Sequence, residues 1–351
     1  MVFFQEGDVV ATTIGIVGAG SIGCFVGGAL MLGGAPVRFF GRPRIAAELQ
    51  EYGLQISDFR GLYHEVAPDS LSFHTDVAQM KDVGCWLITV KSAASESVAA
   101  EIAPFVEKDA LVISLQNGVG NGARIQAQLP QATVLEGMVA FNVLHRGHGS
   151  FHAGTDGAIV VQQHPALAKL AAALGSAGVP FERHRDMRSV QWSKLLLNLN
   201  NPLNALSGLP LKEELSQRAY RQCLALLQRE AIRAIKAAGI PLQKLTAAPT
   251  SMLPLLLSSP DYLFRRLAQS MLAIDPLARS SMWEDLERGR LTEVDWINGE
   301  VVRLARSQNL PAPANERMLS LIKAAERGGR RDYGGDELLS LLTAAVTEGG
   351  R

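Results

Sequence analysis

The sequence has no excess of charge of either sign and no long apolar run. Lysine plus arginine and aspartate plus glutamate each number 34 in 351 residues, which argues against a general nucleic-acid binder. No apolar run approaches the roughly 20 residues of a membrane helix. The first residues, with Glu6 and Asp8, lack the basic and apolar regions of a signal peptide. These absences predict a cytoplasmic protein that works without a membrane.

Cysteine is also scarce, and its positions exclude two classes of site. Cys24, Cys85 and Cys223 are far apart and form neither a C-x-x-C pair nor a zinc-binding spacing. We therefore expect free thiols in a reducing compartment and no bound metal. Hydrophobic residues make up 47% of the chain and charged residues 19%, which is typical of a globular protein. At roughly 150 residues per domain, the length allows two domains.

A glycine-rich stretch near the N-terminus predicts a dinucleotide site. The apolar run 14–17 leads into a G-x-G-x-x-G turn and then a helix-compatible segment that ends at Leu32. In this motif the first glycine permits the turn, the second lets a pyrophosphate approach the backbone, and the third lets the helix pack on the strand. A glycine-rich connection without function is the alternative. The predicted cofactor-binding residues of the turn are Gly18, Gly20, Ser21, Ile22 and Gly23.

The end of the second predicted strand, 37–40, bears on the choice of cofactor. An acidic residue at this place usually binds the ribose 2′-hydroxyl of NAD. Here Arg42 and Arg44 follow the strand, and no carboxylate occurs before Glu48. Because guanidinium groups pair well with a 2′-phosphate, the sequence predicts NADP(H). The alternative is that the two arginines are merely solvated on a loop.

Polar residues follow two further apolar strands, predicted at 86–90 and 111–115. Lys91 comes directly after the first, and Gln116-Asn117-Gly118 follows the second. Since helical segments alternate with the strands, we expect a parallel doubly wound sheet whose ligands lie at the carboxyl ends of its strands. The glycine turn, Arg42, Lys91 and Asn117 would then line one crevice. Other strands are expected within 63–73, at 134–141 and at 157–161, and helices at 94–106 and before Leu129.

From about Met187 the strand signals disappear and long helical patterns follow. Helices are predicted at 189–201, 213–238, 259–272, 292–307 and 336–346. We therefore expect an N-terminal extension at 1–13, a Rossmann-type α/β domain at 14–186 and an all-helical domain at 187–351. The sequence allows a homodimer but does not require one.

One helix of the second region carries an unusual polar face. Lys194, Asn198 and Asn201 are spaced four and three residues apart, among leucines. Buried polar groups need partners or a ligand, because each costs about 1–3 kcal/mol if left unpaired. Pro202 has no N–H, so it should kink or end the helix. A structural polar stripe, or a turn that simply ends a helix, is the alternative.

Taken in order, these motifs resemble the ketopantoate reductase (2-dehydropantoate 2-reductase) family over roughly residues 14 to 325. The resemblance implies a reduction of the ketone of 2-dehydropantoate to (R)-pantoate with NADPH, on the route to pantothenate and coenzyme A. The motifs that carry it are the glycine turn, Val90-Lys91, Gln116-Asn117-Gly118, Trp192-Ser193-Lys194-Leu195 with Asn198, Ser280-Ser281-Met282, and the segment 292–299.

The resemblance also implies roles for individual residues. Lys194 matches the catalytic lysine of the family and Glu293 its active-site glutamate. Asn198 matches an asparagine that holds the substrate, and Ser281 matches a serine that contacts the substrate carboxylate. Asn117 matches an asparagine near both nicotinamide and substrate.

Two more matches concern the cofactor, and one position departs from the family pattern. Arg42 matches the arginine expected at the 2′-phosphate, and Lys91 matches a lysine of the same crevice. The asparagine–proline pair, however, comes one residue early after the lysine. Either Asn200 or Asn201 could therefore occupy the place of the second asparagine, and Asn201 is taken here as the substrate-binding residue.

The residues fit this chemistry without the family name. Negative charge builds on the ketone oxygen during hydride transfer, and an ammonium such as that of Lys194 would stabilise it and then donate a proton. Glu293 would orient that ammonium or bind the product hydroxyl. Simpler alternatives exist, since an acid such as Glu293 in a first helical turn stabilises the helix dipole and Ser281 could cap a helix. Thr292 with Asp295 three residues on predicts a capping box.

Two other functions are compatible with these motifs. A related reductase could act on another 2-keto acid or on an opine-type substrate, because fold and cofactor do not determine the substrate. A non-catalytic NADP(H)-binding protein could keep the nucleotide domain alone, but such a protein would be expected to have lost Lys194 or Glu293, and both are present.

Overall fold

The structure is a computed structural model that describes residues 12–245, 249–267 and 278–349. The chain divides into two compact units, with the boundary between Met187 and Arg188. The first unit is α/β and the second is helical, as the sequence predicts. Every helix in the described ranges is too short or too polar to span a bilayer.

The first unit alternates strands with helices, and its strands begin at Thr13, the last residue of the predicted extension. Residues 1–11 of that extension lie outside the described part of the chain. The strands are β1 (Thr13–Val17), β2 (Val37–Phe40), β3 (Leu54–Asp58), β4 (Tyr63–Val66), β5 (Ser72–His74), β6 (Val83–Ile88), β7 (Leu111–Ser114), β8 (Thr133–Val139), β9 (Val143–Gly147), β10 (Ser150–Ala153), β11 (Ile159–Gln162) and β12 (Phe181–His184). The helices are α1 (Ser21–Leu32), α2 (Pro43–Tyr52), α3 (Ser95–Ile102), α4 (Asn121–Gln128) and α5 (Ala168–Ser176).

Eight strands form one sheet in the order β12-β11-β8-β7-β6-β1-β2-β5. All neighbours are parallel except β8 and β11, which run antiparallel. The predicted doubly wound sheet is therefore confirmed, with one antiparallel pair that the sequence did not indicate. Because the chain winds outward from β1 to β2 on one side and from β6 to β8 on the other, the sheet has a switch point between β1 and β6.

Alternate residues of the central strands pack on opposite faces of this sheet. Ile16 and Leu87 belong to one apolar core, together with residues of α1 and α5. Val17 and Ile88 belong to a second core, which includes residues of α3 and α4. Two covered faces explain why these strands appear in the sequence as continuous apolar runs rather than alternating ones.

A second sheet, in the order β4-β3-β10-β9, was not predicted. Its strands have few buried side chains, so their hydrophobic signal is weak; in β10, for example, Phe151 and Ala153 alternate with polar residues that are only half-buried. The short strands predicted within 63–73 are confirmed, but β4 belongs to this second sheet and β5 to the first.

The second unit contains only helices among its described residues, which confirms the all-helical prediction. The predicted helix 259–272 is observed to Leu267, and its remainder lies outside the described residues. The helices are α6 (Met187–Asn198), α7 (Asn200–Ser207), α8 (Leu211–Ser216), α9 (Arg218–Ala237), α10 (Leu253–Ser258), α11 (Asp261–Leu267), α12 (Ser281–Glu287), α13 (Val294–Ser307), α14 (Pro313–Glu326) and α15 (Gly335–Gly349).

Two of the predicted helices are each divided in two. The first ends at Asn198 because Pro202 offers no N–H to the Asn198 carbonyl, and α7 then begins at Asn200. The second breaks at the extended residue Gln217. There the buried Arg221 guanidinium donates to the carbonyls of Leu215 and Ser216, both at 3.1 Å, and so satisfies acceptors at the end of α8.

Candidate active site

The glycine-rich turn follows β1 at the switch point of the sheet. Gly18 has a φ of +98°, and a Cβ atom on it would lie 2.6 Å from the backbone nitrogen of Val90, so only glycine fits. The Gly18 N–H donates to the Phe40 carbonyl at 2.9 Å. Thr89 Oγ1 donates to the Gly18 carbonyl at 2.8 Å. Sequence reasoning missed Thr89, which was placed inside the strand rather than after it.

Gly20 has a different environment, which suits a bound phosphate. A Cβ atom on Gly20 would meet nothing among the described residues closer than the Gly18 oxygen, 3.9 Å away. No neighbouring side chain therefore demands glycine here. Gly20 is the exposed N-cap of α1 and has no side chain with which to cap that helix, and the first turn contains Ser21 and Ile22 but no acid. The first N–H groups of a helix have no acceptor within the helix, so open space at this N-terminus fits the pyrophosphate of a dinucleotide.

Arg42 and Arg44 are both exposed at the N-terminus of α2, directly after β2. Glu48, the nearest carboxylate after them, accepts from the backbone of Gly149 at 2.9 Å and lies 2.6 Å from His145 Nε2. Although burial opposes the change, these hydrogen bonds lower the pKa of Glu48. The carboxylate is thus ionised and engaged with the second sheet.

A network of buried polar side chains supports the turn that contains Asn117. The Asn117 carbonyl accepts from Ser92 Oγ at 2.8 Å and from Asn121 Nδ2 at 2.8 Å. Gln116 Nε2 donates to the Val90 carbonyl at 3.0 Å, next to the exposed Lys91. The sequence did not indicate Ser92 or Asn121 as functional, because the roles of these residues depend on contacts across two loops.

Four predicted features of the first unit share one edge of the sheet. The strands β2, β1, β6 and β7 are adjacent and parallel, so the glycine turn, Arg42, Lys91 and Asn117 all follow carboxyl ends at that edge. The strand order therefore places these four features at the edge where we expect the nucleotide to bind.

In the second unit the structure brings Lys194 and Glu293 into electrostatic contact. Desolvation lowers the pKa of the Lys194 ammonium to about 8, and the Glu293 carboxylate acts against this by raising it. Lys194 lies on α6 among buried leucines, and Glu293 is the N-cap of α13. A lysine in this state is protonated at neutral pH and can still release its proton, as a general acid requires.

The position of Glu293 is secured by α14. Thr292 donates through its backbone N–H and its hydroxyl to Glu326 Oε1, at 2.9 and 2.7 Å. Lys323 pairs with both Asp295, at 2.5 Å, and Glu326, at 3.1 Å. The predicted capping box was therefore wrong for Asp295, whose carboxylate binds Lys323 across the helix pair. Thr292 does accept from the Val294 N–H at 3.2 Å.

The remaining predicted substrate residues lie on α6, α7 and α12. Asn198 follows Lys194 by one helical turn and is half-buried, as is Asn201. Asn200 instead acts on the buried Glu214 through its side chain. Ser281 is exposed in the first turn of α12, and the helix cap is Ser280, whose Oγ accepts from the Trp283 N–H at 3.1 Å. The alternative that Ser281 is an N-cap was therefore wrong.

Part of the motif around Glu293 is structural. Asn298 is fully buried on α13 and donates to Asn315 Oδ1 at 3.1 Å. Asn315 in turn donates to Glu230 Oε2 at 2.8 Å. This ladder joins α13, α14 and α9. Within this motif, Glu293 therefore acts on Lys194, whereas Asn298 holds the helices together.

Two family models match the chain in consecutive ranges. The one described as "Ketopantoate reductase PanE/ApbA" matches residues 14–166. The one described as "Ketopantoate reductase PanE/ApbA C terminal" matches residues 186–326. Together they cover most of the chain, including the glycine turn in the first range and both Lys194 and Glu293 in the second.

Individual proteins agree with these matches. The chain is 26% identical over 324 residues to a 2-dehydropantoate 2-reductase of Halobacterium salinarum, covering 89% of this chain and 98% of that protein. A crystal structure of a PanE/ApbA family ketopantoate reductase from Ralstonia eutropha JMP134 is 28% identical with a TM-score of 0.77, covering 90% of this chain and 99% of that one. A D-mandelate dehydrogenase solved with NADH and anilino(oxo)acetate shares the fold, with a TM-score of 0.75, 21% identity, and coverage of 90% and 99%.

Proposed function

The chain belongs to the ketopantoate reductase family of oxidoreductases, and from this premise we propose that it reduces 2-dehydropantoate to (R)-pantoate with NADPH. This reaction would serve pantothenate and coenzyme A biosynthesis in the cytoplasm. The observation that carries the proposal is the pairing of Lys194, whose pKa is lowered to about 8, with the Glu293 carboxylate. A protein that only bound the nucleotide would have no use for a desolvated lysine whose pKa is raised by a nearby carboxylate.

The proposed reaction divides the work between cofactor and protein. NADPH supplies the hydride for the ketone carbon. Lys194 stabilises the negative charge on the ketone oxygen and then donates its proton to that oxygen, which yields the hydroxyl of the product. Glu293 keeps the lysine protonated before the reaction and orients its ammonium.

The substrate also carries a carboxylate and a hydroxyl, which need neutral donors and acceptors. We assign these contacts to Asn198, Asn201 and Ser281, together with Asn117. Amide and hydroxyl groups bind an anion at little desolvation cost, because they carry no charge of their own. Asn201 is preferred over Asn200 because the side chain of Asn200 is already directed to Glu214.

The proposed acid role predicts a particular pH dependence. We expect kcat to be constant below about pH 8 and to fall roughly tenfold per pH unit above it, since only the protonated lysine is active. Glu293→Gln removes the carboxylate that raises the lysine pKa, so the break in the profile should move to lower pH. Steady-state measurements of kcat from pH 6 to 10, with NADPH oxidation followed at 340 nm, give the pH of the break for the wild type and for Glu293→Gln.

A matched control separates this effect from a general change of charge. Glu284→Gln removes a carboxylate on α12 that pairs with Arg288 at 3.5 Å, and it should leave the break where it is. A break that stays in place in Glu293→Gln, or moves to higher pH, would contradict the assigned role of Glu293.

Arg42 is proposed to select NADPH. Arg42→Ala should raise KM for NADPH by roughly 10- to 100-fold, the expected loss for charged hydrogen bonds to a phosphate, and should leave KM for NADH within about twofold. Arg44→Ala should have a smaller effect, because Arg44 already lies 4.0 Å from Glu48. Lys169→Ala on α5, an exposed cation of the same unit, is the control. A wild-type enzyme that uses NADH at least as efficiently as NADPH would sink the assignment.

The substrate is tested by a screen of NADPH oxidation with 2-dehydropantoate and a panel of other 2-keto acids. We expect the highest kcat/KM for 2-dehydropantoate. A higher value for another keto acid would instead support the alternative of a related reductase, which is relevant because D-mandelate dehydrogenase shares this fold. No turnover with any keto acid, despite NADPH binding, would support a non-catalytic nucleotide-binding protein.

A further inference from the structure

One buried side chain of α7 connects that helix to α8 and α12. Asn204 is fully buried, and its amide group is saturated with hydrogen bonds. Its Nδ2 donates to Glu214 Oε2 at 2.6 Å and to the Leu209 carbonyl at 2.9 Å, and its Oδ1 accepts from the Ser280 N–H at 2.8 Å. The amide therefore uses both hydrogens and its oxygen to hold three separate segments.

The connection continues through Ser280 to two residues assigned to the substrate. Ser280 Oγ donates to the Asn201 carbonyl at 3.1 Å and accepts from the Trp283 N–H at 3.1 Å. Ser281 is the next residue and opens α12. The relative placement of Asn201 and Ser281 thus depends on Ser280, whose backbone is held by Asn204.

Glu214 is the hydrogen-bond acceptor that holds the Asn204 amide in place. It is fully buried on α8, and burial raises the pKa of its carboxyl to about 8, while hydrogen bonds from Asn204 and Asn200 act in the opposite direction. A largely neutral carboxyl avoids the cost of a buried charge and still accepts from Asn204. The acceptor directs the Asn204 amide so that its oxygen faces Ser280.

We propose that Asn204, oriented by Glu214, is a positioning residue that sets the spacing of Asn201 and Ser281 and thereby the affinity for the carboxylate of the keto acid. The identity of the substrate in this inference rests on the proposed function. The link between α7, α8 and α12 does not, because it follows from the hydrogen bonds alone. Asn204 acts through Ser280 and makes none of the proposed contacts with substrate or cofactor, so its loss should act on substrate binding rather than on the chemical step.

A matched residue is available as a control for simple destabilisation. Asn315 is also a fully buried asparagine of the helical unit, and it donates to a buried glutamate, Glu230, at 2.8 Å and to the Leu227 carbonyl at 3.1 Å. Asn315→Ala and Asn204→Ala should lower Tm comparably, because each removes a saturated buried amide. Only Asn204→Ala should loosen the start of α12.

Hydrogen exchange tests the link without any substrate. In the full-length protein, exchange at the amides of 280–283 should rise at least about tenfold in Asn204→Ala relative to wild type, since the acceptor of the Ser280 N–H is gone. The same amides should change little in Asn315→Ala. Equal exchange in wild type and Asn204→Ala, or equal increases in both variants, would overturn the link.

Steady-state kinetics then test the consequence for binding. Asn204→Ala should raise KM for the keto acid by roughly tenfold or more, the loss expected when one or two polar contacts to a carboxylate are misplaced, with kcat within about threefold and NADPH affinity unchanged. An unaltered KM despite increased exchange, or a KM increase of the same size in Asn315→Ala, would refute the positioning role.

A second pair of variants covers the case in which Asn204→Ala does not fold. Glu214→Gln keeps an acceptor for Asn204, so its KM for the keto acid should stay near that of the wild type. Glu214→Leu removes the acceptor and should raise this KM. Equal KM values for the two would contradict the proposal. If the wild type does not reduce 2-dehydropantoate, the proposed function fails. Hydrogen exchange still tests the link between Asn204 and α12 in that case. KM is then measured with the keto acid that the wild type does reduce.

Discussion

Lys194→Ala should lower kcat by roughly 10²- to 10⁴-fold, the range expected when a general acid is removed from a hydride-transfer step. The variant should still bind NADPH with wild-type affinity, because the proposed nucleotide-binding residues all belong to the other unit of the chain. Single-turnover NADPH oxidation and a separate fluorescence titration with NADPH measure the two effects. Near-normal turnover in this variant would refute the role assigned to Lys194.

A second substitution distinguishes charge from proton donation at the same position. Lys194→Arg keeps a positive charge, but a guanidinium does not give up its proton near neutral pH. We expect it to remain strongly impaired, and to lose the pH break near 8 that wild type should show. Lys236→Ala, which removes an exposed lysine from the last turn of α9, serves as the control and should leave kcat unchanged.

The second large effect is expected at Gly20. Gly20→Ala should leave the Tm of the free protein nearly unchanged, because the nearest non-adjacent atom that a Cβ would meet in the described part of the chain is the Gly18 oxygen, 3.9 Å away. It should weaken NADPH binding by roughly 10- to 100-fold, since the methyl group would occupy the space in which we place the pyrophosphate and would break its hydrogen bonds to the N-terminus of α1. Thermal unfolding with and without NADPH shows both effects in one experiment.

Substitutions at two other glycines serve as comparisons for this prediction. Gly18→Ala should lower Tm even without NADPH, because its φ is +98° and its Cβ would lie 2.6 Å from the Val90 nitrogen. Gly175→Ala, at an exposed position on α5 where a Cβ would have no described neighbour within 4 Å, should leave NADPH affinity unchanged and should not lower Tm, because alanine favours a helix over glycine. Normal NADPH binding by Gly20→Ala would mean that the phosphates do not pass over this residue.

Much of the first unit was predictable because its signals are local. Strands β1, β2 and β7 are short, mostly apolar and largely buried. A glycine directly follows β1 and β2, and β7 ends at Ser114, two residues before Gln116. The edge that collects the glycine turn, Arg42, Lys91 and Asn117 follows from parallel strand order alone. The second sheet could not be predicted in the same way, since its strands bury few side chains and pair residues about 100 positions apart, as in Phe151 with Ile56.

In the helical unit, the spacing of Lys194 and Asn198 was readable, but several assignments of neighbouring residues were not. Ser280, rather than Ser281, caps α12, and Asp295 pairs with Lys323 instead of capping its own helix. Each outcome depended on which partner another helix brought within hydrogen-bond distance. Propensity and spacing carry no information on such long-range partners.

By itself, the sequence determined the two-part fold, the glycine turn and the identity of the polar residues on α6, because these depend on periodicity, backbone conformation and side-chain chemistry within a few residues. Only the tertiary structure showed that burial lowers the pKa of Lys194 while Glu293 opposes this, that Glu48 is engaged with His145, and that Asn200 is directed to Glu214. These are properties of packing. The desolvation that lowers a lysine pKa and the partner that occupies a carboxylate come from segments distant in the chain, so they exist only once the chain has folded.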